Sequence, residues 1–312
     1  MRRDVTRALA AVGVLLLAYQ AWTIAGWITD KPHQINTFQD RSSISWYAAQ
    51  ASQLLVIVSI ATLLVYAVRE GRRESRIGTI GLLLIGMFTA GFWDPIYNWL
   101  SPAWLYTSNL LNVNDWTAHA PGFVNPEAGH QPWPIFMVLG YPLFTIAPGL
   151  AVCAVMRAVR RRHPSTSPAG LVAIGFAFLF VYASVSFRVS EALGIFAAPG
   201  YRLALFANND AVVMGYSGAV VFVLVGCVLF FRDGDGRVFF DDRNQPTWVR
   251  VLSAIGACQL IVIVGWGLLT VPLNLYSSPY PELPRHIVSG LCHAPDTPGA
   301  APPAPCPGGR PR

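Results

Sequence analysis

Seven apolar segments divide this chain, and each is long enough to cross a lipid bilayer as an α-helix. Crossing the hydrocarbon core takes about 20 helical residues. The segments lie at 8–28, 44–68, 77–93, 133–156, 169–190, 211–231 and 248–273. Only 12% of the residues are charged and 54% are hydrophobic, whereas soluble domains carry about 25% charged residues. The sequence therefore predicts an all-α fold, a polytopic membrane helix bundle of about seven transmembrane helices.

The basic residues predict how this bundle lies in the membrane. The N-terminus and the second, fourth and sixth loops hold 15 of the 22 Lys and Arg residues. Cytoplasmic loops are enriched in these residues, so the N-terminus is predicted inside and the C-terminus outside. The first apolar segment follows Arg2, Arg3 and Arg7 without a small-residue cleavage motif, so we expect a retained helix rather than a signal peptide. Lys31 is the only Lys, a bias typical of a GC-rich bacterium, and the cytoplasmic membrane is the expected location.

Two regions are expected along the chain. Residues 1–293 form the predicted transmembrane domain, with a polar cap at 94–132, and residues 294–312 form a Pro-rich tail that we expect to be disordered. Cys292 and Cys306 lie near the C-terminus and can pair if that end is extracytoplasmic. The net charge of +6 comes from short loops beside the apolar segments, so no nucleic-acid partner is predicted.

The polar cap is the strongest candidate for a functional site. It contains no Lys or Arg and is rich in Asp, Asn, His and Trp. Its entry, Asp94-Pro95-x-x-Asn98, has two interpretations. Pro after Asp is typical of a helix N-cap, here opening a short interfacial helix. Alternatively, Asp94 is a partly buried carboxyl with a raised pKa that donates a proton.

Other polar residues are predicted on the same outer side. Arg188 and Glu191 lie three residues apart on one helix face, either as a structural ion pair or as a charged wall of a substrate cavity. Asp210 leads into the sixth segment as a helix cap or as an outer polar group. The candidates for substrate binding are Tyr97, Trp99, Asn112, Asp115, His119 and Asp210.

Missing motifs exclude several classes of membrane enzyme. The sequence contains no HExxH, no clustered histidine boxes, no Cys/His metal spacing and no Gly-rich phosphate loop. His119 and His130 are 11 residues apart, which is not the spacing of a ligand pair on one helix. Lys31 lies in a loop, so a retinal Schiff base inside a span is excluded. No metal and no organic cofactor is predicted.

A longer pattern begins at Phe92. It consists of Asp94-Pro95 with Asn98, the aromatic and Asn-rich stretch from Trp104 to Trp116, Pro132-Trp133-Pro134, and Tyr141-Pro142. In this pattern the chain resembles the AveC-type spirocyclase family, multi-span bacterial membrane proteins named for the avermectin pathway enzyme. The resemblance covers roughly residues 40–280 as a topology and about 94–142 as a motif.

The resemblance implies spiroketal formation from a dihydroxy-ketone polyketide, a reaction that needs an acid and a base. Asp94 is our candidate for the general acid, with Asn98 orienting it or the substrate. Glu191, paired with Arg188, is the second candidate carboxyl. The expected partners are a lipophilic substrate and membrane lipid, and the oligomeric state is left open. The alternative is a non-enzymatic seven-helix transporter or binding protein for a lipophilic molecule.

Overall fold

A computed structural model describes residues 2–29, 41–100, 105–122, 132–197, 210–232 and 237–268. The chain is mainly helical, and its last described helix continues as a π-helical turn at Ile263–Leu268. The helices are α1 Arg2–Thr29, α2 Ile44–Glu74, α3 Thr79–Ala90, α4 Trp93–Leu100, α5 Ile135–Arg162, α6 Pro168–Ala192, α7 Asp210–Phe230 and α8 Thr247–Val262. The predicted tail, with Cys292 and Cys306, lies outside the described residues.

All seven predicted apolar segments are helical in the described structure, but they differ in length. Five helices are long and apolar enough to cross a membrane, and these are α1, α2, α5, α6 and α8 with its π-helical turn. The apolar parts of α3 and α7 are shorter, at Thr79–Ala90 and Gly215–Phe230. Helix α4 is the short helix that the Asp-Pro motif predicted after the third segment. The mainly helical character is therefore confirmed, while the number of membrane crossings stays a prediction.

Close helix packing forms the core of the bundle. Helix α8 packs against both α1 and α3, and α7 packs against α5 and α6. Gly13 and Gly256 lie where α1 crosses α8, and a β-carbon at either position would collide with the backbone of the other helix. Small residues at such a crossing let two helices approach closely, as in membrane bundles. The outward face of α2 exposes large apolar side chains, including Leu54, Leu55 and Val58.

The basic segments meet at one end of the bundle. Arg243, in the segment between α7 and α8, pairs with Glu74 at the end of α2 at 3.3 Å. Arg250 donates to both carboxylate oxygens of Asp241 and to the carbonyl of Ile77 at 3.0 Å. The grouping agrees with the predicted alternation of loops. Which side of a membrane this end faces stays a prediction.

The opposite end carries the polar cap, which contains two short β-ribbons that the all-α prediction did not include. Strand β1 (Leu105–Tyr106) pairs with β4 (Phe196–Ala197), and β2 (Asn112–Asn114) pairs with β3 (Pro132–Pro134). Both pairs are antiparallel. The two strands of each ribbon come from different parts of the chain, so no local turn pattern in the sequence predicts either ribbon. The ribbon of β1 and β4 ties the cap to the segment that follows α6.

Candidate functional site

Asp94 lies at the junction between α3 and α4. The chain turns at Gly91 and Phe92, and α4 begins at Trp93, so Asp94 occupies the first helical turn. The prediction that Asp94 is the N-cap residue is therefore wrong, because the helix begins one residue before it. Gly91 permits the close approach of α5 at this junction, because a β-carbon there would lie 3.2 Å from Cβ of Tyr141. The carboxyl of Asp94 is directed into the protein and is only 2% exposed.

The hydroxyl of Tyr106 on β1 donates a hydrogen bond to Oδ2 of Asp94 at 3.3 Å. Burial raises the pKa of Asp94 well above its usual range, and the Tyr106 hydrogen bond opposes this rise only in part. Desolvation dominates because water is excluded and no positive charge compensates the carboxylate among the interactions described for this group. A carboxyl in such surroundings keeps its proton to higher pH than an exposed one, which suits it to the role of a proton donor.

Two more tyrosine hydroxyls complete what we call the Asp94 cluster, namely Asp94, Tyr97, Tyr106 and Tyr141. Tyr97 lies three residues after Asp94 on α4, and Tyr141 comes from the first turns of α5. Asp94 acts electrostatically on all three hydroxyls. Burial raises the pKa of Tyr97 and of Tyr106, and Asp94 adds to both shifts. All three phenols are therefore hydrogen-bond donors rather than phenolates.

Aromatic rings from the cap enclose the cluster. Trp133 on β3 meets Tyr106 edge to face, with ring centroids 5.1 Å apart. Trp116 stacks on Phe92 at 5.7 Å, and its indole nitrogen donates to the carbonyl of Phe92 at 3.0 Å. Trp93 stacks on Tyr97 at 6.3 Å. These contacts are favourable offset and edge geometries, and they exclude water from the carboxyl.

The π-helical turn after α8 covers the cluster from a further direction. Trp266 approaches the hydroxyl of Tyr141. Gly267 faces the ring of Tyr97, where an added β-carbon would lie 3.2 Å from its Cε1. π-Helical turns inside longer helices occur frequently at functional sites. The cluster thus has walls from α4, α5, the cap and the end of α8.

A buried amide network lies beside the start of α4. Oε1 of Gln259 on α8 accepts hydrogen bonds from the indole of Trp93 and from Nε2 of Gln20 on α1, both at 2.8 Å. Gln20 also donates to the carbonyl of Thr89 at 3.2 Å. Polar side chains in apolar helices are costly unless paired, so this network fixes the positions of α1, α3 and α8 around Trp93. It holds the residue next to Asp94.

Several predicted substrate-binding residues have structural contacts in the cap. Nδ2 of Asn112 donates to the carbonyl of Leu110 at 3.0 Å, which closes a local turn. Oδ1 of Asp115 accepts from the backbone N–H of Thr117 at 2.8 Å and so starts the 3₁₀ turn Thr117–His119. His119 ends that turn and packs against Gly26 of α1. Of the predicted binding residues whose side chains are described, Tyr97 belongs to the Asp94 cluster.

Arg188 and Glu191 form the ion pair that their spacing predicted. The distance between Nη1 and Oε2 is 3.4 Å, and the side chain of Arg188 is 71% exposed. Pairs this exposed contribute little to stability. They lie near the end of α6, whereas the Asp94 cluster is built from α4, β1 and α5. The side chains of Asn98, Trp99 and Asp210 lie outside the described residues, so their predicted roles stay predictions.

Sequence reasoning did not select three residues that the structure places at the site. Tyr106 and Tyr141 reach Asp94 only through the fold, because they are 12 and 47 positions away in the chain. Gln259 had a usable signal, since it is a polar residue inside an apolar segment and such residues are rarely unpaired. Among the described residues, no group of three or more His, Cys, Asp and Glu side chains could hold a metal ion.

The fold and the site define a mainly helical protein with long apolar helices, in which a buried carboxyl of raised pKa lies among tyrosine hydroxyls. A family profile described as spirocyclase AveC-like matches residues 74–280, about two thirds of the chain. The chain therefore belongs to the AveC-like spirocyclase family. The match includes the entire Asp94 cluster, while α1 and nearly all of α2 precede it, so it begins later than the expected 40–280. Neither the curated proteins nor the solved structures contain a match to this chain.

Proposed function

We propose that this protein is a membrane-embedded cyclase that closes a dihydroxy-ketone polyketide to a spiroketal by acid–base catalysis. Membership of the AveC-like family supports a cyclase role in polyketide biosynthesis. The observation that carries the acid–base part is the burial of Asp94 beside the hydroxyl of Tyr106. A general acid works best when its pKa lies near the operating pH, and burial moves a carboxyl in that direction.

The chemistry proceeds in three steps that return the enzyme to its starting state. One substrate hydroxyl adds to the ketone carbon, which gives a hemiketal. Asp94 protonates the hemiketal hydroxyl, and the C–O bond breaks. Water departs as the leaving group, and an oxocarbenium ion remains beside the carboxylate of Asp94. The second hydroxyl attacks this cation and gives its proton to Asp94. The net reaction is dihydroxy-ketone to spiroketal and water, so a single carboxyl serves as acid and then as base.

The surroundings of Asp94 suit each step of this sequence. The carboxylate that forms in the second step is paired with a cation in a dry site, where their attraction is stronger than in water. The Tyr106 hydroxyl stabilises that carboxylate and keeps it from holding the proton too tightly. Exclusion of bulk water disfavours capture of the oxocarbenium ion by solvent. The aromatic walls fit a lipophilic substrate.

The remaining site assignments belong to the same proposal. Asn98 lies one helical turn after Asp94, a position from which it orients the acid or the substrate. Glu191 is the second candidate carboxyl, with Arg188 holding its charge. The exposed apolar helix faces support a location in the bacterial cytoplasmic membrane, from which a lipophilic substrate reaches the site through the bilayer. No metal or organic cofactor enters the reaction.

The test is a closure assay on membranes that contain the protein. A dihydroxy-ketone polyketide is supplied, and the rate and stereochemistry of spiroketal formation are compared with membranes lacking the protein. We expect stereospecific closure above the acid background, lost in Asp94→Asn and kept in Tyr182→Phe, a matched change at an exposed tyrosine of α6. Glu191→Gln tests the second carboxyl. If Asp94→Asn closes the substrate as fast as the wild type, Asp94 is not the acid; binding without closure favours the transport alternative.

A further inference from the structure

Two hydroxyls of the Asp94 cluster are buried without a hydrogen-bond acceptor among the described residues. Tyr97 is 8% exposed and Tyr141 is 4% exposed. Neither hydroxyl donates to an acceptor among the described residues. The third phenol of the cluster, Tyr106, differs because it donates to Asp94. Two phenol hydroxyls of the cluster therefore lack an acceptor among the described residues, whereas the third phenol hydroxyl has one.

Open buried donors are unusual in a folded protein. Most buried polar side-chain atoms have a partner, because an unpaired one loses its hydration and gains nothing in return. Phenylalanine would fill the same space without that penalty. Two such hydroxyls within electrostatic range of each other and of a buried carboxyl break the local rules of stability in the way that functional sites do.

The two rings are held in place from different sides. Tyr97 is fixed by its stack with Trp93 and by close contact with Gly267 of the π-helical turn. Tyr141 is fixed by Gly91, whose added β-carbon would lie 3.2 Å from its Cβ. The two hydroxyls act electrostatically on each other as well as on Asp94. The two rings are thus preorganised within electrostatic range of each other, although they come from α4 and α5.

The chemistry of the pair limits what it binds. Phenol donors suit neutral acceptors such as ether, hydroxyl and carbonyl oxygens. No Lys or Arg acts on Asp94 or Tyr97 among the interactions described for them, so an anionic group would have no countercharge. Trp93 adds apolar ring surface against Tyr97, and Trp133 adds it against Tyr106 of the same cluster.

We propose that the hydroxyls of Tyr97 and Tyr141 form a paired donor site that binds two oxygen atoms of one uncharged ligand beside Asp94. This inference rests on the proposed function, in which the two oxygens are those joined to the carbon that becomes the spiro centre. Holding both oxygens fixes the face of the oxocarbenium ion that the second hydroxyl attacks. The tyrosine pair therefore sets the stereochemistry of closure, while Asp94 transfers the proton.

A pair of probes isolates the contribution of the two oxygens. An unsubstituted spiroketal of two six-membered rings is compared with its all-carbon spiro analogue, in which both oxygens are replaced by methylene groups. Binding to the purified, lipid-reconstituted protein is measured for the wild type, Tyr97→Phe, Tyr141→Phe and the double variant. Ser184→Ala is the control, because it also removes a buried hydroxyl without a partner, but on α6. Thermal stability is recorded for every variant.

We expect the wild type to prefer the spiroketal over the all-carbon analogue. Each Tyr→Phe change should reduce that preference about fivefold, since a neutral hydrogen bond contributes on the order of a factor of 5. The double variant should lose the preference, and Ser184→Ala should keep it. Stability should stay equal or rise in Tyr97→Phe, because an unpaired buried hydroxyl is removed. The ratio of spiroketal epimers formed by the two single variants should move toward the uncatalysed ratio.

Other results separate this inference from the proposed function. Equal binding of the two probes by the wild type means that the hydroxyls are satisfied by water, and it overturns the donor pair. A preference that persists in the double variant overturns it as well, even if closure still depends on Asp94. Conversely, a preference lost with the tyrosines, together with closure that is unaffected by Asp94→Asn, supports the donor pair and refutes Asp94 as the acid.

Discussion

Tyr106→Phe offers a sharp test of how the protein sets the proton affinity of Asp94. The change removes one hydroxyl and keeps the ring that contacts Trp133. The hydrogen bond from Tyr106 favours the ionised carboxylate, so its loss should raise the pKa of Asp94 further. Because the protonated form is the proposed acid, closure by the wild type should decline as pH rises through the Asp94 pKa. In Tyr106→Phe that decline should begin at higher pH.

The geometry gives the size of the shift. The Tyr106–Asp94 distance of 3.3 Å is longer than that of a strong O–H···O bond, about 2.7 Å. A hydrogen bond to a charged group contributes about 1.5–3 kcal/mol, and a long one belongs at the lower limit. One pKa unit corresponds to about 1.4 kcal/mol. The alkaline limb of the rate profile should therefore move upward by about 1 pH unit.

The assay is the initial rate of spiroketal formation across a pH series, with the acid background subtracted at each pH. Tyr182→Phe, at an exposed position of α6, should leave the profile unchanged. Substrate concentrations well below KM make the profile report the free enzyme. An alkaline limb that stays in place, or that moves to lower pH, would refute the idea that Tyr106 tunes the acid.

Three further outcomes follow from the structure. The folded protein binds the proton of Asp94 more tightly than the unfolded chain does, and this tighter binding stabilises the fold. The stabilisation is complete below about pH 3.9, the pKa of an unfolded Asp. It is lost as pH rises through the raised pKa of Asp94 in the folded state. Thermal unfolding of Asp94→Asn should lack that pH dependence. Gln259→Leu leaves the indole of Trp93 without its acceptor and should destabilise the bundle by about 2 kcal/mol, measured by thermal or denaturant unfolding in detergent. Asp241→Ala leaves Arg250 buried without its partner and should cost about 3 kcal/mol by the same assay, whereas an effect below about 1 kcal/mol would contradict the burial of that pair.

The helices were predictable because their segments have the length and apolar composition that crossing a lipid bilayer requires. Each apolar segment of the sequence is helical where the structure describes it. The short helix α4 was predictable from Asp94-Pro95, although its first residue was placed at Pro95, two residues late. The β-ribbons of the cap were not predictable, because the β1–β4 pairing joins segments about 90 residues apart and depends on helix packing.

The candidate site was predictable in part, for the same physical reason. Asp94 could be selected because placing a carboxyl next to an apolar segment costs free energy, so such a residue is a candidate for a functional role. Arg188 and Glu191 could be paired because helical spacing is local, and the ion pair is present. Tyr106 and Tyr141 could not be assigned, since nothing local in the sequence indicates which distant phenol approaches a buried carboxyl.

Asp94 must be protonated in the resting protein if it is to act as the general acid. Infrared difference spectroscopy on the lipid-reconstituted protein measures this, because a protonated carboxyl has a C=O stretch that a carboxylate lacks. At neutral pH we predict such a band in the wild type, shifted by deuterium exchange and absent from Asp94→Asn. The same band should persist in Glu191→Gln. Wild-type and Asp94→Asn spectra that are identical in this region at neutral pH would contradict the central claim, because Asp94 would then be ionised and unable to act as the acid.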